Sequence, residues 1–340
     1  MAFLRWLNRY KVPVSIVLFI PFVLWSLTPL FSRLTIDCFA WPTGTPGEAF
    51  SALTTTDLME KQLLGVDGEG LYFADLREEE EGQICRMDLM TGEGQVLGRL
   101  PAGSRLAGNA GRWEDTLYLP LQTGDTPVAL WAVDSDAGEA AQVWQSEEEL
   151  TGDLTLLAEE EGLLLYGRQE EGYWARFYDP HSVAAAPVEE TAEFSLFGFG
   201  EDTLPALLPL LAEDVAQVVE MTELEQAIYL RTAEGEGLLV GLGENAFRLI
   251  GRGQGLTLAD SVDGEDRLPL FYYPGSRSCL LLREGTLLEL ETGLEEGYQI
   301  CQVVVGKDVA GILAVHEKTG LLDRTESRLC LYRAADLTDN

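Results

Sequence analysis

From Gln62 to the end of the chain, apolar stretches a few residues long are cut apart at short intervals by Gly, Asp and Glu, and few segments keep a helical period. Stretches of this length are too short for helices and suit strands, so the pattern predicts an all-β fold joined by tight turns. The first four are QLLGV (62–66), LYFADL (71–76), QICRMDL (83–89) and QVLGRL (95–100), four strands in about forty residues, the size of one propeller blade. In the third of these, Cys85, Met87 and Leu89 fall on one face.

The same plan recurs downstream with little identity between copies. RLAG, DTLYLPL, PVALWAV and AQVWQ make a second unit, and LTLLAE, GLLLYG, GYWARFY and APVEE a third. VAQVVEM, QAIYLR, EGLLVG and AFRLIG make a fourth, LTLADSV, DRLPLFYY, RSCLLLR and TLLELE a fifth, and YQICQVVVG, GILAVHE and SRLCLYR the last. Six units in residues 61–340 predict a six-bladed β-propeller, with five or seven units, or two packed β-domains, as the alternatives. Residues 191–213, with Pro205 and Pro209, read as an insertion between units three and four.

The last unit offers only three strands, which leaves a bare outer edge. EAFSALTTTD (48–57), rich in β-branched threonine, is the segment expected to cover it and join the two ends of the ring.

Ahead of the repeats, residues 12–32 read VPVSIVLFIPFVLWSLTPLFS, with no charge between Lys11 and Arg33. As a helix this would measure about 30 Å, enough to span a bilayer. Arg5, Arg9 and Lys11 on its amino side outweigh Arg33, which predicts a short cytoplasmic tail (1–11), a single anchor (12–32), a linker (33–60) and an extracytoplasmic domain (61–340) at the cell membrane. A cleaved signal peptide is the competing reading, but Cys38-Phe39-Ala40 is a poor processing site with Pro42 close behind it.

Net charge is −34, and all 57 acidic residues fall after residue 36. So acidic a domain repels nucleic-acid backbone and anionic lipid, and charged partners should be basic. The run Glu78–Glu81 and the Glu-Glu-Gly turns at 160–162, 170–172 and 295–297 read as wet punctuation between strands, since consecutive carboxylates cannot all reach one ion. DSDAGE (134–139) and VDGED (262–266) are the weak calcium candidates, with Asp134, Asp136, Asp263 and Asp266 as ligands, although neither follows the EF-hand spacing.

His181 and His316 are the only histidines, so a histidine-rich zinc site is excluded. GLGENA (241–246) has dinucleotide-fingerprint spacing, but FRLIGRGQG follows instead of a helix, so it reads as a hairpin turn and no cofactor is expected. No GxSxG elbow, phosphate loop or HExxH occurs. Five scattered cysteines (Cys38, Cys85, Cys279, Cys301, Cys330) read as small buried residues in strands.

GEGLYFADLREEEEGQICRMDLMTGE (68–93) resembles a repeat of the TolB-type, WD40-like β-propellers, whose hairpin ends in an I-Y-x-M-D-L-x-T-G strand. Ile84, Met87, Asp88, Leu89, Thr91 and Gly92 stand in that pattern, with Cys85 in place of the aromatic. SRLCLYRAADLTD at the end echoes it more distantly. The resemblance implies a propeller that binds through its ring face or loops, and it carries over no catalytic residue. The expectation is a membrane-tethered, extracytoplasmic binding or scaffold module for a protein or glycan partner. The alternative is a propeller enzyme, a glycan or peptide hydrolase or lyase, using acidic residues near the central channel.

Overall fold

The computed structural model describes residues 32–40, 45–54, 58, 61–77, 79–134, 138–147, 150, 153–159, 161–169, 172–182, 184–187, 218–224, 227–242, 247–263, 267–316 and 326–333. The expected anchor up to residue 31, the insertion at 191–213, Asp136, Asp266 and most of GLGENA lie outside these residues. Among the described residues, no helix is long and apolar enough to cross a membrane.

The chain folds into six sheets, antiparallel apart from two parallel pairings in the closing one, arranged as a six-bladed β-propeller. Blade 1 is a plain meander of Gln62–Val66, Gly70–Asp75, Gly82–Asp88 and Gly94–Leu100. Blades 3 and 4 repeat it with Thr155–Glu159 through Ala184–Pro187 and Val218–Leu224 through Phe247–Gln254. In blades 2 and 5 the innermost strand is broken in two, Ser104–Leu106 and Gly111–Trp113 in one, Thr257–Leu258 and Asp260–Ser261 in the other.

The inner strands are apolar on both faces because both faces are covered. In blade 1, Leu71, Phe73, Cys85, Met87 and Leu89 pack with Val304, Val309, Leu313, Leu329 and Leu331 of blade 6. The alternate residues Tyr72, Ala74 and Ile84 pack with Leu117, Leu119, Leu121 and Val133 of blade 2. Similar clusters fill the seams between blades 2 and 3, 4 and 5, and 5 and 6. Buried tyrosine hydroxyls add direction to these contacts: Tyr229 of blade 4 donates to the Leu256 carbonyl at 2.8 Å, and Tyr332 of blade 6 donates to the Thr292 carbonyl.

Blade 6 closes the ring. Its own strands are Tyr298–Val305, Val309–His316 and Glu326–Arg333. Beside the last of these lies Ser32–Ala40, in parallel and with Ile36 opposite Leu329. Thr45–Thr54 then pairs antiparallel outside it. The strand next to Glu326–Arg333 is therefore 32–40, and the described part of the expected 48–57 segment forms the outer edge. A second tie comes from Gln302, which accepts from the Leu63 amide at 2.8 Å and donates to the Lys61 carbonyl at 2.7 Å.

Candidate functional site

One segment departs from the radial plan. After Leu258, the Ala259 amide still bonds to Leu270 of its own blade at 2.9 Å. Asp260 and Ser261 then leave blade 5 and pair in parallel with Val304 and Val305 of blade 6. Val262 is buried in the core between blades 1 and 2, and its carbonyl accepts from the Arg112 amide of blade 2 at 2.7 Å. Residues 260–263 thus cross the ring axis as a strap. Gly65 makes this route feasible, since a Cβ there would lie 2.8 Å from both Val262 methyls.

The far end of the strap is fastened by charge. Arg112 reaches Asp263 at 2.6 Å and Asp67 of blade 1 at 3.3 Å, and the Lys307 amide of blade 6 donates to Asp263 at 3.3 Å. Asp67 also accepts from the amides of Glu69 and Gly70 and from the Tyr72 hydroxyl. Burial by itself would raise the Asp67 carboxyl, but these bonds and Arg86 hold it below the usual carboxylate range.

At the near end, the strap borders an axial cavity of about 130 Å³ lined by the inner parts of blades 1 to 5. Arg231 of blade 4 pairs with Glu220 at 2.6 Å and with Asp153 at 3.1 Å, bridging toward blade 3. Thr155, Thr222 and Ser261 add hydroxyls to the lining, and Arg267 adds a second guanidinium. Asp260 faces this space. It is exposed to solvent at the cavity, with protein packed around the recess. That enclosure, with the Glu220 carboxylate as a lesser cause, pushes its carboxyl up to about 7 against the pull of Arg267 and Arg231. No hydrogen bond to this carboxylate comes from any described residue.

Blade 2 contains the counterpart of the strap, half-way round the ring. Ala107 bonds to Pro120 of its own blade at 2.9 Å, and Gly108 bridges in parallel to Leu154 of blade 3. Asn109 then clamps both the amide and the carbonyl of Leu156 at 2.9 Å. Leu106-Ala107-Gly108-Asn109 and Leu258-Ala259-Asp260-Ser261 are the same device. Where one has a glycine against the Leu154 carbonyl, the other has a carboxylate in the cavity.

Sequence reading singled out neither Asp260, Arg231 nor Glu220; the repeated Leu-Ala-small-polar break was the signal that could have found the first. Of the calcium candidates, Asp134 ends a strand of blade 2 on the surface, and Asp263 is the fastened end of the strap. Among the described residues no three His, Cys, Asp or Glu side chains are grouped to hold a metal. His181 stands edge-on to Trp113 at 5.0 Å and His316 to Tyr298 at 5.2 Å; neither lines the cavity. Cys85, Cys279 and Cys330 are buried, and burial pushes the Cys85 thiol up to about 11 and Cys279 up to about 12.

No family model matches the chain, and no curated protein matches it. Among solved structures it is similar to a prolyl endopeptidase (11% identity, 79% of this chain and 41% of that one, TM-score 0.36). It is also similar to the isopeptidase AtxE2 with astexin3-dC4 bound (10%, 90% and 51%, TM-score 0.40). A third is BamB from Moraxella catarrhalis (13%, 73% and 60%, TM-score 0.28). The chain spans about half the length of the two peptidases or less. Likenesses this distant carry no argument about activity.

Proposed function

We propose that the protein is a membrane-tethered, extracytoplasmic binding module whose partner, a protein or a glycan, engages the ring at the mouth of the axial cavity. The observation that carries this reading is the strap. It bars the axis at one end, so the cavity is a blind recess with a polar lining contributed by five blades, a form suited to receiving a group rather than conducting one. The tether rests on the uncharged run 12–32 and its basic amino flank, and the TolB-type likeness of residues 68–93 agrees with recognition through a ring face.

The enzyme reading has one specific support, the Asp260 carboxyl poised near neutrality beside Glu220. Against it, Arg231 holds Glu220 and Asp153 as ion pairs, and neither histidine is at the cavity to serve as partner base.

A photo-crosslinking amino acid placed at Arg267 at the cavity, and for comparison at Met90, an exposed position on blade 1, separates the cases in intact cells. A discrete crosslinked species from 267 alone is expected. Equal crosslinking from both positions, or none from either, would sink the module reading. Turnover of glycan or peptide substrates abolished by Asp260→Asn would replace it with the enzyme.

A further inference from the structure

The lining of the axial cavity decides what group it would take, an assignment that rests on the module reading. Three carboxylates (Asp153, Glu220, Asp260) and two guanidinium groups (Arg231, Arg267) face it, so the ionised lining carries one negative charge more than positive. Arg231 gives its Nε to Glu220 and its Nη2 to Asp153. Asp260 is left as the acceptor to which no described residue donates. The strap fixes it in place, because its backbone pairs with Val304 and the next residues are fastened through Val262 and Asp263. Held in place and exposed in the recess, it is an acceptor that a donor entering from outside can reach without breaking an internal bond.

An anion is a poor occupant, since the lining is net negative and Arg231 is already bound on two sides. A divalent metal is also a poor one: calcium asks for six to eight oxygen ligands, and a guanidinium sits among those present. The space itself is small. At about 130 Å³ it suits a small group better than a bulky one. A planar guanidinium binds best with two N–H groups on one carboxylate, whereas Arg231 gives one bond to each of two. An ammonium is a compact charge with three donors, and its fit to one carboxylate with hydroxyls and waters around it is good.

We infer that the axial cavity is a binding site for a protonated primary amine, with the ammonium seated on Asp260 and the rest of the ligand leaving by the mouth. The amine could be supplied by a lysine side chain on a basic partner or by a free polyamine, and the chemistry of the seat is the same for both. An exposed acidic domain raises the local concentration of either. Glu220, Arg231, Asp153 and Arg267 are the charged groups facing Asp260. Among them the guanidinium groups keep their charge through the neutral range, so loss of binding on mild acidification follows protonation of Asp260.

Calorimetric titration of the full chain in detergent micelles tests this with defined probes: Nα-acetyl-lysine amide, its Nε-acetylated form, spermidine, and calcium chloride alone. At pH 8 the lysine amide is expected to bind one to one, with a Kd on the order of 1 mM. Binding should weaken at least tenfold at pH 5.5 and in Asp260→Asn, and the Nε-acetylated probe should not bind. Spermidine binding without the lysine amide would support the seat and name a free polyamine as its source. Failure of every amine, equal amine binding in Asp260→Asn, or calcium binding that depends on Asp260 would overturn the inference. Should Asp260→Asn not fold, the pH dependence of the natural chain decides the matter. Crosslinking at the mouth with no amine binding would leave the module standing and remove only its ammonium seat.

Discussion

The two ends of the strap are built from the same parts and behave differently. At one, Arg112 stands between Asp263 and Asp67; at the other, Arg231 stands between Glu220 and Asp153. The first set is complete, because amides and a tyrosine hydroxyl supply the remaining donors. The second has one carboxylate too many, Asp260, and solvent in front of it. A guanidinium between two acids is therefore a fastening where the donors balance and a recess with unsatisfied capacity where they do not.

The sharpest way to break this comparison is to remove each arginine. Arg112→Ala strands Asp263, whose side chain is only 11% exposed, and releases the strap from blade 2. A loss of about 2–3 kcal/mol is expected in denaturant unfolding, less than for a fully buried pair because water reaches part of the network. Arg231→Ala acts on more open partners, with Asp153 44% exposed, and should cost less than about 1 kcal/mol. Equal losses would erase the distinction. Acid should narrow the Arg112→Ala difference. Asp67 has a lowered folded pKa, so its share of stability is present above the unfolded value near 3.9 and goes as pH falls through the folded one.

A smaller effect, of opposite sign, is expected at the other end. Asp260 titrates higher in the folded chain, about 7, than in the unfolded chain, about 3.9, so folded protein takes up its proton more readily between these values. Its contribution is complete below pH about 3.9 and is lost as pH rises toward 7. Asp260→Asn, which cannot ionise, should melt about 1–3 °C above the natural chain at pH 8 and level with it near pH 4. A variant less stable at pH 8 would mean that the carboxylate already has a partner.

The smallest expected effect is at the acid run. Glu80 pairs with Arg77 at 2.9 Å and Glu81 with Arg99 at 3.5 Å, all on exposed side chains. Replacing Glu79, Glu80 and Glu81 with Gln should change unfolding free energy by less than about 0.5 kcal/mol, with or without calcium. A larger change would show that charge in an open turn can matter as much as at the strap.

Why the ring was legible in the sequence and the recess was not follows from the range of the forces. Blade 1 could be read because each strand declares itself locally, as Leu71-Tyr72-Phe73-Ala74 and Ile84-Cys85-Arg86-Met87 do, and turns close them within a few residues. Asp260 lay inside LTLADSV, which reads as an ordinary strand; nothing local says that it leaves blade 5 to pair with Val304. The meeting of Arg231 with Asp153, 78 positions away, depends on how whole blades are placed. VDGED looked like a calcium turn for a similar reason: the Asp263 carboxylate has a guanidinium partner 151 positions distant.

The closing sheet also has a mechanical side. Its added strand starts at Ser32, the last residue of the apolar run, and is flanked by Glu326–Arg333 on one side and Thr45–Thr54 on the other. Ser32–Ala40 is thus held in blade 6 along its whole length. A pull directed along that strand would load its row of hydrogen bonds in shear, all at once, and would reach the ring through the seam where its two ends meet. Tension on that strand and integrity of the ring are in this way one quantity.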